Sequence, residues 1–214
     1  MLIATRFAET TQVHHVARPG GARKQITFYD EPVASASYAP DARFDGFLFS
    51  RDAGGGEFHQ IYWQETGGGS ARLLTDGKSV NRSARWSNAG DRFAYVSTRR
   101  NRRDFDLYVA DLASDGESRL LLERQGSWSP GDWSPDDRRL IVSRYVSVTE
   151  SQIEILDLET GRLVPFNRPP EGADSIAYRS IAWAADGRGL FVVSDEGGEF
   201  HRLRHWDLDT GRQV

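Results

Sequence analysis

The chain repeats itself, and that restricts its fold more than any other feature. The segment Trp133-Ser134-Pro135-Asp136-Asp137-Arg138-Arg139-Leu140-Ile141-Val142-Ser143-Arg144 joins an apolar anchor, a Pro-Asp turn, a basic pair and a short β-rich run. The same order returns in Trp86-Ser87-Asn88-Ala89-Gly90-Asp91-Arg92-Phe93-Ala94-Tyr95-Val96-Ser97 and in Trp183-Ala184-Ala185-Asp186-Gly187-Arg188-Gly189-Leu190-Phe191-Val192-Val193-Ser194. A looser copy runs from Tyr38-Ala39-Pro40-Asp41-Ala42-Arg43 into Gly46-Phe47-Leu48-Phe49-Ser50-Arg51. The anchors Tyr38, Trp86, Trp133 and Trp183 lie 48, 47 and 50 residues apart. That period suits a unit of four short strands. The spacing predicts an all-β chain, an incomplete β-propeller of four-stranded antiparallel blades with about four to five blade units.

Taken in order, the repeat phase divides the chain into a partial blade at 1–30, blades at about 31–78, 79–125 and 126–172, and a partial blade at 173–214. Residues 2–27 read as three strands with no Trp-Ser-Pro-Asp element before them, so Met1 is expected to be an internal or boundary position of a longer repeat array. The second unit places strands near 34–39, 46–51, 59–64 and 71–74, and the third near 83–86, 92–97, 106–111 and 119–122. The fifth unit begins near Ser180 and stops, after Thr210-Gly211-Arg212, where its outer strand should start. Pro165 to Gly172 reads as a proline-rich crossover between units. One twisted blade cannot bury both faces alone, so the aromatic anchors are expected to pack between neighbouring blades. The turn Asp residues are expected to bond back to local backbone, a structural role. An open array leaves blade edges and faces exposed, which predicts homo-oligomers through them or closure by pairing of the chain ends.

Composition narrows the function. With 214 residues the chain can bury a substantial core, and its net charge of −4 argues against a nucleic-acid partner. No apolar run approaches the roughly 20 residues of a bilayer span, so no membrane partner is expected. Met1 to Arg6 lacks signal-peptide architecture, and the absence of cysteine fits a reducing cytoplasm or a cysteine-poor periplasmic protein alike. No Gly-x-Ser-x-Gly nucleophile elbow occurs, and Gly126-Ser127-Trp128-Ser129-Pro130-Gly131 has the wrong spacing. Without that elbow the five histidines form no triad, and this chain alone is not expected to hydrolyse a substrate.

The residues Trp133-Ser134-Pro135-Asp136, Trp86-Ser87 with Gly90-Asp91-Arg92, Asp186-Gly187-Arg188, and the strand endings Asp111-Leu112, Asp157-Leu158 and Asp207-Leu208 resemble TolB-like propeller repeats. So does the ending Gln25-Ile26-Thr27 behind Gly20-Gly21. The resemblance covers nearly the whole chain and is strongest to the N-terminal propeller of prolyl-oligopeptidase-family serine peptidases, the dipeptidyl-peptidase-like and acylaminoacyl-peptidase-like enzymes. It implies a non-catalytic, substrate-gating propeller with hydrolysis carried by an α/β-hydrolase domain elsewhere in a parent chain, and a peptide substrate or protein partner at the propeller face. The alternative is a TolB-like interaction scaffold with no attached enzyme. A propeller lyase or lactonase would need inward carboxylates or histidines, whereas the inner strands near 83–86, 127–133 and 180–183 carry mostly Ser, Ala and Arg.

The candidate binding residues come from a near-duplicate, Gly55-Gly56-Glu57-Phe58-His59 and Gly197-Gly198-Glu199-Phe200-His201, 142 residues apart, each between the second and third strands of a unit. One reading makes Glu57, His59, Glu199 and His201 rim residues that recognise a cation such as a peptide amino terminus, a use of propeller glutamates that the resemblance implies. The plainer reading is a repeated Gly-Gly hairpin whose Phe enters the blade core, and it is the favoured one. His14, His15, His59, His201 and His205 show no metal-ligand spacing, and strand alternation sends His14 and His15 to opposite faces, so no metal or cofactor is expected. Arg99-Arg100-Asn101-Arg102-Arg103-Asp104 forms a basic hairpin tip, read first as solvated and second as a contact for an acidic partner.

Overall fold

The structure, a computed structural model, describes residues 1–6, 9–52, 54–114, 117–166 and 175–213, and no helix occurs among them. Ala53 of the second-unit turn, most of the Pro165–Gly172 crossover and the expected blade boundary at 172–173 lie outside the described residues. The strands form successive antiparallel sheets. The first holds β1 (Leu2–Arg6), β2 (Thr11–Val16) and β3 (Arg23–Gln25). The second holds β4 (Val33–Tyr38), β5 (Gly46–Arg51), β6 (Gln60–Glu65) and β7 (Arg72–Leu73). The third holds β8 (Asn81–Trp86), β9 (Arg92–Ser97), β10 (Asp106–Asp111) and β11 (Ser118–Leu122). The fourth holds β12 (Ser127–Trp133), β13 (Arg139–Ser147), β14 (Glu150–Asp157) and β15 (Leu163–Pro165). The fifth holds β16 (Tyr178–Trp183), β17 (Gly189–Ser194), β18 (Arg202–Asp207) and β19 (Arg212–Gln213). The sequence has this last sheet ending before its outer strand; instead β19 pairs with β18 through Trp206–Gln213 and Asp207–Arg212.

Two compact units divide the chain, Met1–Arg102 with Val109–Arg119, and Arg103–Tyr108 with Leu120–Val214. In the first, Val13, Val33, Phe47 and Phe49 are buried together, with Tyr38 and Tyr62 against them. Tyr38 hydrogen-bonds His15 of β2 and meets Phe47 edge-on at 6.3 Å, so this anchor joins the first two sheets. Trp86 stands edge-on to Trp63 of β6 at 5.9 Å and to Phe93 of its own sheet at 6.0 Å. Its indole N–H donates to the Ser37 carbonyl at 3.4 Å.

The second unit repeats the device. Buried Trp183 packs with Ile141, Ile153, Leu190 and Val192. Its indole N–H donates to the Asp132 carbonyl at 3.2 Å, its backbone N–H donates to Asp132 Oδ2 at 2.8 Å, and the Arg139 guanidinium lies 4.4 Å above its ring. In both units the anchor therefore grips the residue that precedes the previous anchor. Within the fifth sheet, Phe191 and Leu203 hold the register positions that Ile141 and Ile153 hold in the fourth, yet they are 44% and 68% exposed against 1% and 5%.

The motif residues have local work. Asp41, Asp136 and Asp186 each accept the N–H two residues on, from Arg43, Arg138 and Arg188, at 2.8, 3.2 and 2.9 Å. Asp157 and Asp207 each accept the N–H and hydroxyl of Thr160 and Thr210, with the backbone contact at 2.8 Å in both. The Leu of each Asp-Leu ending donates its N–H back to a turn carbonyl: Leu112 to Asp91, Leu158 to Arg138, and Leu208 to Arg188, at 2.8–2.9 Å.

Gly90 sits at φ 70° in the turn, and a Cβ there would come within 3.1 Å of the Asp41 nitrogen, so its turn lies directly on that of the preceding sheet. Gly20 has a similar φ of 73° and open space around it. Gly20→Ala is therefore expected to cost about 1–2 kcal/mol from backbone strain alone. Gly90→Ala should cost about 1–3 kcal/mol more, because the methyl group also forces adjacent turns apart. Urea denaturation of both variants checks this, and equal losses would contradict the close approach.

Candidate functional site

The first rim hairpin connects β5 to β6. The Glu57 N–H donates to Asp52 Oδ2 at 2.8 Å, the Gly54 N–H donates to Glu31 Oε1 at 3.0 Å, and Arg51 pairs with Glu31 Oε2 at 3.0 Å. The Gly54 N–H, ahead of the Arg51 charge, holds the Glu31 carboxyl below the usual carboxylate range. Arg51 lies between the rings of Tyr29 and Tyr62, at 4.2 and 5.0 Å. Glu57 itself is exposed, in the left-handed region at φ 61°, and its carboxylate has no partner among the described residues. The second hairpin joins β17 to β18 in the other unit. Glu199 is exposed there, and His201 Nε2 accepts from Arg179 Nε at 3.1 Å. Both pairs thus stand on the hairpins expected. The expectation that Phe58 and Phe200 enter the blade cores is wrong: they are 47% and 73% exposed. The hairpins extend beyond the paired strands, so these rings have no sheet interior to enter.

His59 also contributes to a second feature, an open cleft of about 480 Å³ between β4 and β8. Ser35 and Ser37 of β4 lie on one side and Arg82, Ser83 and Arg85 of β8 on the other, with Leu48 and Ile61, both almost fully buried, beneath them. Ser35 Oγ and Ser50 Oγ are hydrogen-bonded at 2.7 Å beside them. Every ionisable residue lining the cleft is Arg or His, in a chain whose net charge is −4. The His59 Nδ1 atom is sealed from solvent without a hydrogen-bond partner among the described residues. Burial lowers the pKa of Arg82 from its ordinary value.

A buried polar network ties the β8 wall to β6 and to the turn after β7. The Asn81 N–H at the start of β8 donates to the His59 carbonyl at 2.9 Å. The Asn81 side chain donates to Gln60 Oε1 at 3.0 Å and to Asp76 Oδ1 at 3.1 Å. Thr75 Oγ1 donates to Gln60 Oε1 at 2.7 Å and accepts the Ile61 N–H at 3.1 Å. The same arrangement occurs in the first sheet, where Thr27 Oγ1 accepts the Val13 N–H at 2.8 Å and Gln12 bonds the Tyr29 carbonyl at 2.8 Å. The Gln25-Ile26-Thr27 ending is thereby explained: its hydroxyl closes a ladder position that the short third strand leaves open.

The sequence reading missed Arg82, Ser83, Arg85 and the Gln–Thr network. The inner strand expected at 83–86 took in Arg85 and left out Arg82, which the structure places on β8 (Asn81–Trp86) as well. Among the described residues, no group of three or more His, Cys, Asp or Glu could hold a metal ion. The basic tip is divided in its contacts, with Arg99 donating to Ser118 Oγ at 2.9 Å and to the Tyr95 hydroxyl, while Arg103 pairs with Asp104 at 3.3 Å.

These sheets have the fold of a partial β-propeller, the architecture of TolB and of the prolyl-peptidase propellers. No family model matches the sequence. Among solved structures, TolB from Acinetobacter baumannii is similar over 95% of this chain and 48% of its own, with TM-score 0.69 and 17% identity. A prolyl endopeptidase is similar over 94% of this chain and 32% of its own, with TM-score 0.72 and 13% identity. A protein assigned as a dipeptidyl aminopeptidase IV from Bacteroides ovatus is similar over 98% of this chain and 32% of its own, with TM-score 0.62 and 13% identity. The chain thus spans about half the length of that TolB and a third of each peptidase.

Asp76 ties the network to titration. Partial burial, the largest single influence, raises its pKa, but hydrogen bonds from the Ser79 hydroxyl and N–H, from Asn81 and from the Lys78 N–H together hold it at about 2, below its ordinary 3.8. A depressed folded-state pKa contributes stability above the unfolded value that is lost as pH falls through the folded one. Asp76→Asn should therefore be less stable than the natural chain near pH 5, with the gap closing between pH 4 and 2. Thermal melts across that range check it, and a gap independent of pH would contradict it.

Proposed function

We propose that this chain is the non-catalytic, substrate-gating propeller of a prolyl-oligopeptidase-like serine peptidase, with peptide hydrolysis carried by an α/β-hydrolase domain of a parent chain. The observation that carries this reading is the likeness to the prolyl endopeptidase over 94% of this chain but only 32% of the enzyme. The role is carried over from that likeness of fold, and the experiment below tests it. Glu57 and Glu199, exposed on rim hairpins and free of partners among the described residues, are suited to attracting a cationic peptide amino terminus. The likeness to TolB over 95% of this chain favours a second reading, a binding propeller without an attached enzyme.

The two readings separate on one blot. An antibody against this chain, applied to source cells treated with a fluorophosphonate serine-hydrolase probe, should detect a band far heavier than 24.0 kDa that carries the probe. An unlabelled band near that mass would overturn the peptidase reading and leave the scaffold.

A further inference from the structure

The outer strands of the sheets differ in length. β3, β7, β15 and β19 hold two or three residues each, whereas β11 (Ser118–Leu122) holds five. β11 is the terminal strand of the third sheet, so alternate residues along it turn their backbone N–H and C=O groups outward, away from β10. Both of its ends are pinned. The Tyr95 hydroxyl donates to Ser118 Oγ at 3.0 Å, and the Arg124 N–H, just past the strand, donates to Asp106 Oδ1 at 3.1 Å. Such an edge is commonly blunted by Lys, by Pro or by a strand too short to pair. β11 has none of these: it contains no Lys or Pro, and its Leu120 is 42% exposed.

We propose that the edge of β11 pairs antiparallel with β11 of a second copy of this chain, about a two-fold axis at Leu121. The sequence around the strand is complementary to itself in that register. Residues directly opposite in an antiparallel pair turn their backbone groups the same way, so a strand paired with its own copy centres on a residue and not between two. Centring on Arg119 or Glu123 sets a charge against itself. Centring on Leu120 sets Glu117 against Glu123 of the second copy, again like charges. Centring on Leu122 sets Leu120 against Arg124 and Leu121 against Glu123. Centred on Leu121, Leu120 meets Leu122 and Arg119 meets Glu123, each twice across the axis. Arg119 and Glu123 are both exposed. Glu123 also interacts within its own chain, and the register asks only for the sign of its charge. This self-complementarity selects a second copy over an unrelated strand as the occupant. The pairing stands whether the chain gates a peptidase or acts as a scaffold.

Sedimentation velocity of the full chain over a wide range of concentration tests this, and a concentration-dependent species of twice 24.0 kDa is expected. Arg119→Glu sets like charges together at both Arg–Glu pairs and should weaken the dimer at least about tenfold, as should Glu123→Arg. An equimolar mixture of the two variants restores opposite charges at both pairs and should dimerise where neither variant does alone. The register is read separately. The chain has no cysteine, and Leu121 lies opposite its own copy with Cα atoms about 4.5–5.5 Å apart, within disulfide range. Leu121→Cys should therefore become a covalent dimer under mild oxidation, whereas Leu120→Cys, out of line with its copy, should not. The proposal is overturned if the natural chain stays monomeric at every concentration or if folded Arg119→Glu and Glu123→Arg each dimerise as the natural chain does. It is also overturned if their mixture stays monomeric, or if Leu121→Cys cross-links no faster than Leu120→Cys.

Discussion

Everything in this chain depends on one contact made again in each unit: an aromatic anchor at the end of a sheet's first strand, set against the preceding sheet. A four-stranded sheet with two apolar faces gains little by folding alone, because its large side chains stay wet. Trp183 resolves this for the fourth and fifth sheets by covering Ile141 and Ile153 while its indole N–H reaches the Asp132 carbonyl. Trp86 does the same for the second and third against Trp63 and Ser37. Area burial carries most of the energy, and the hydrogen bond sets the anchor's depth and angle. Phe191 and Leu203, at the same register positions of the last described sheet, stay exposed.

The strand order and the turns were legible because each is written in local chemistry. Gly46–Arg51, Arg92–Ser97 and Asp106–Asp111 are dense apolar runs that fall on strands with those same limits. The Asp residues of the turns were legible for the same reason, since their bonds close within two or three residues. Phe58 and Phe200 were misread because their apolar character was weighed without the length of the hairpin that carries them past the sheet. The outer strand β19 was missed because two residues hold too little pattern to announce a strand.

The cleft was illegible for a deeper reason. Its walls come from strands nearly fifty residues apart, and alternation alone assigns Arg82 and Arg85 to opposite faces. Only the bulge at Ser83, a tertiary feature of β8, makes them neighbours. The supporting network is equally non-local: Gln60, Thr75, Asp76 and Asn81 look like unrelated polar residues until the turn after β7 folds back. A polar network bonded in this way fixes one register, because any slip would break several buried hydrogen bonds at once.

The central claim is that neighbouring sheets are stabilised as a pair through the anchor between them. Hydrogen exchange followed by mass spectrometry on the natural chain and on Trp183→Ala tests it most directly. If the claim holds, loss of this one ring speeds exchange in β13 and β14 of the fourth sheet as well as in β16 to β18 of the fifth. Faster exchange confined to β16, with β13 and β14 as protected as before, would contradict it.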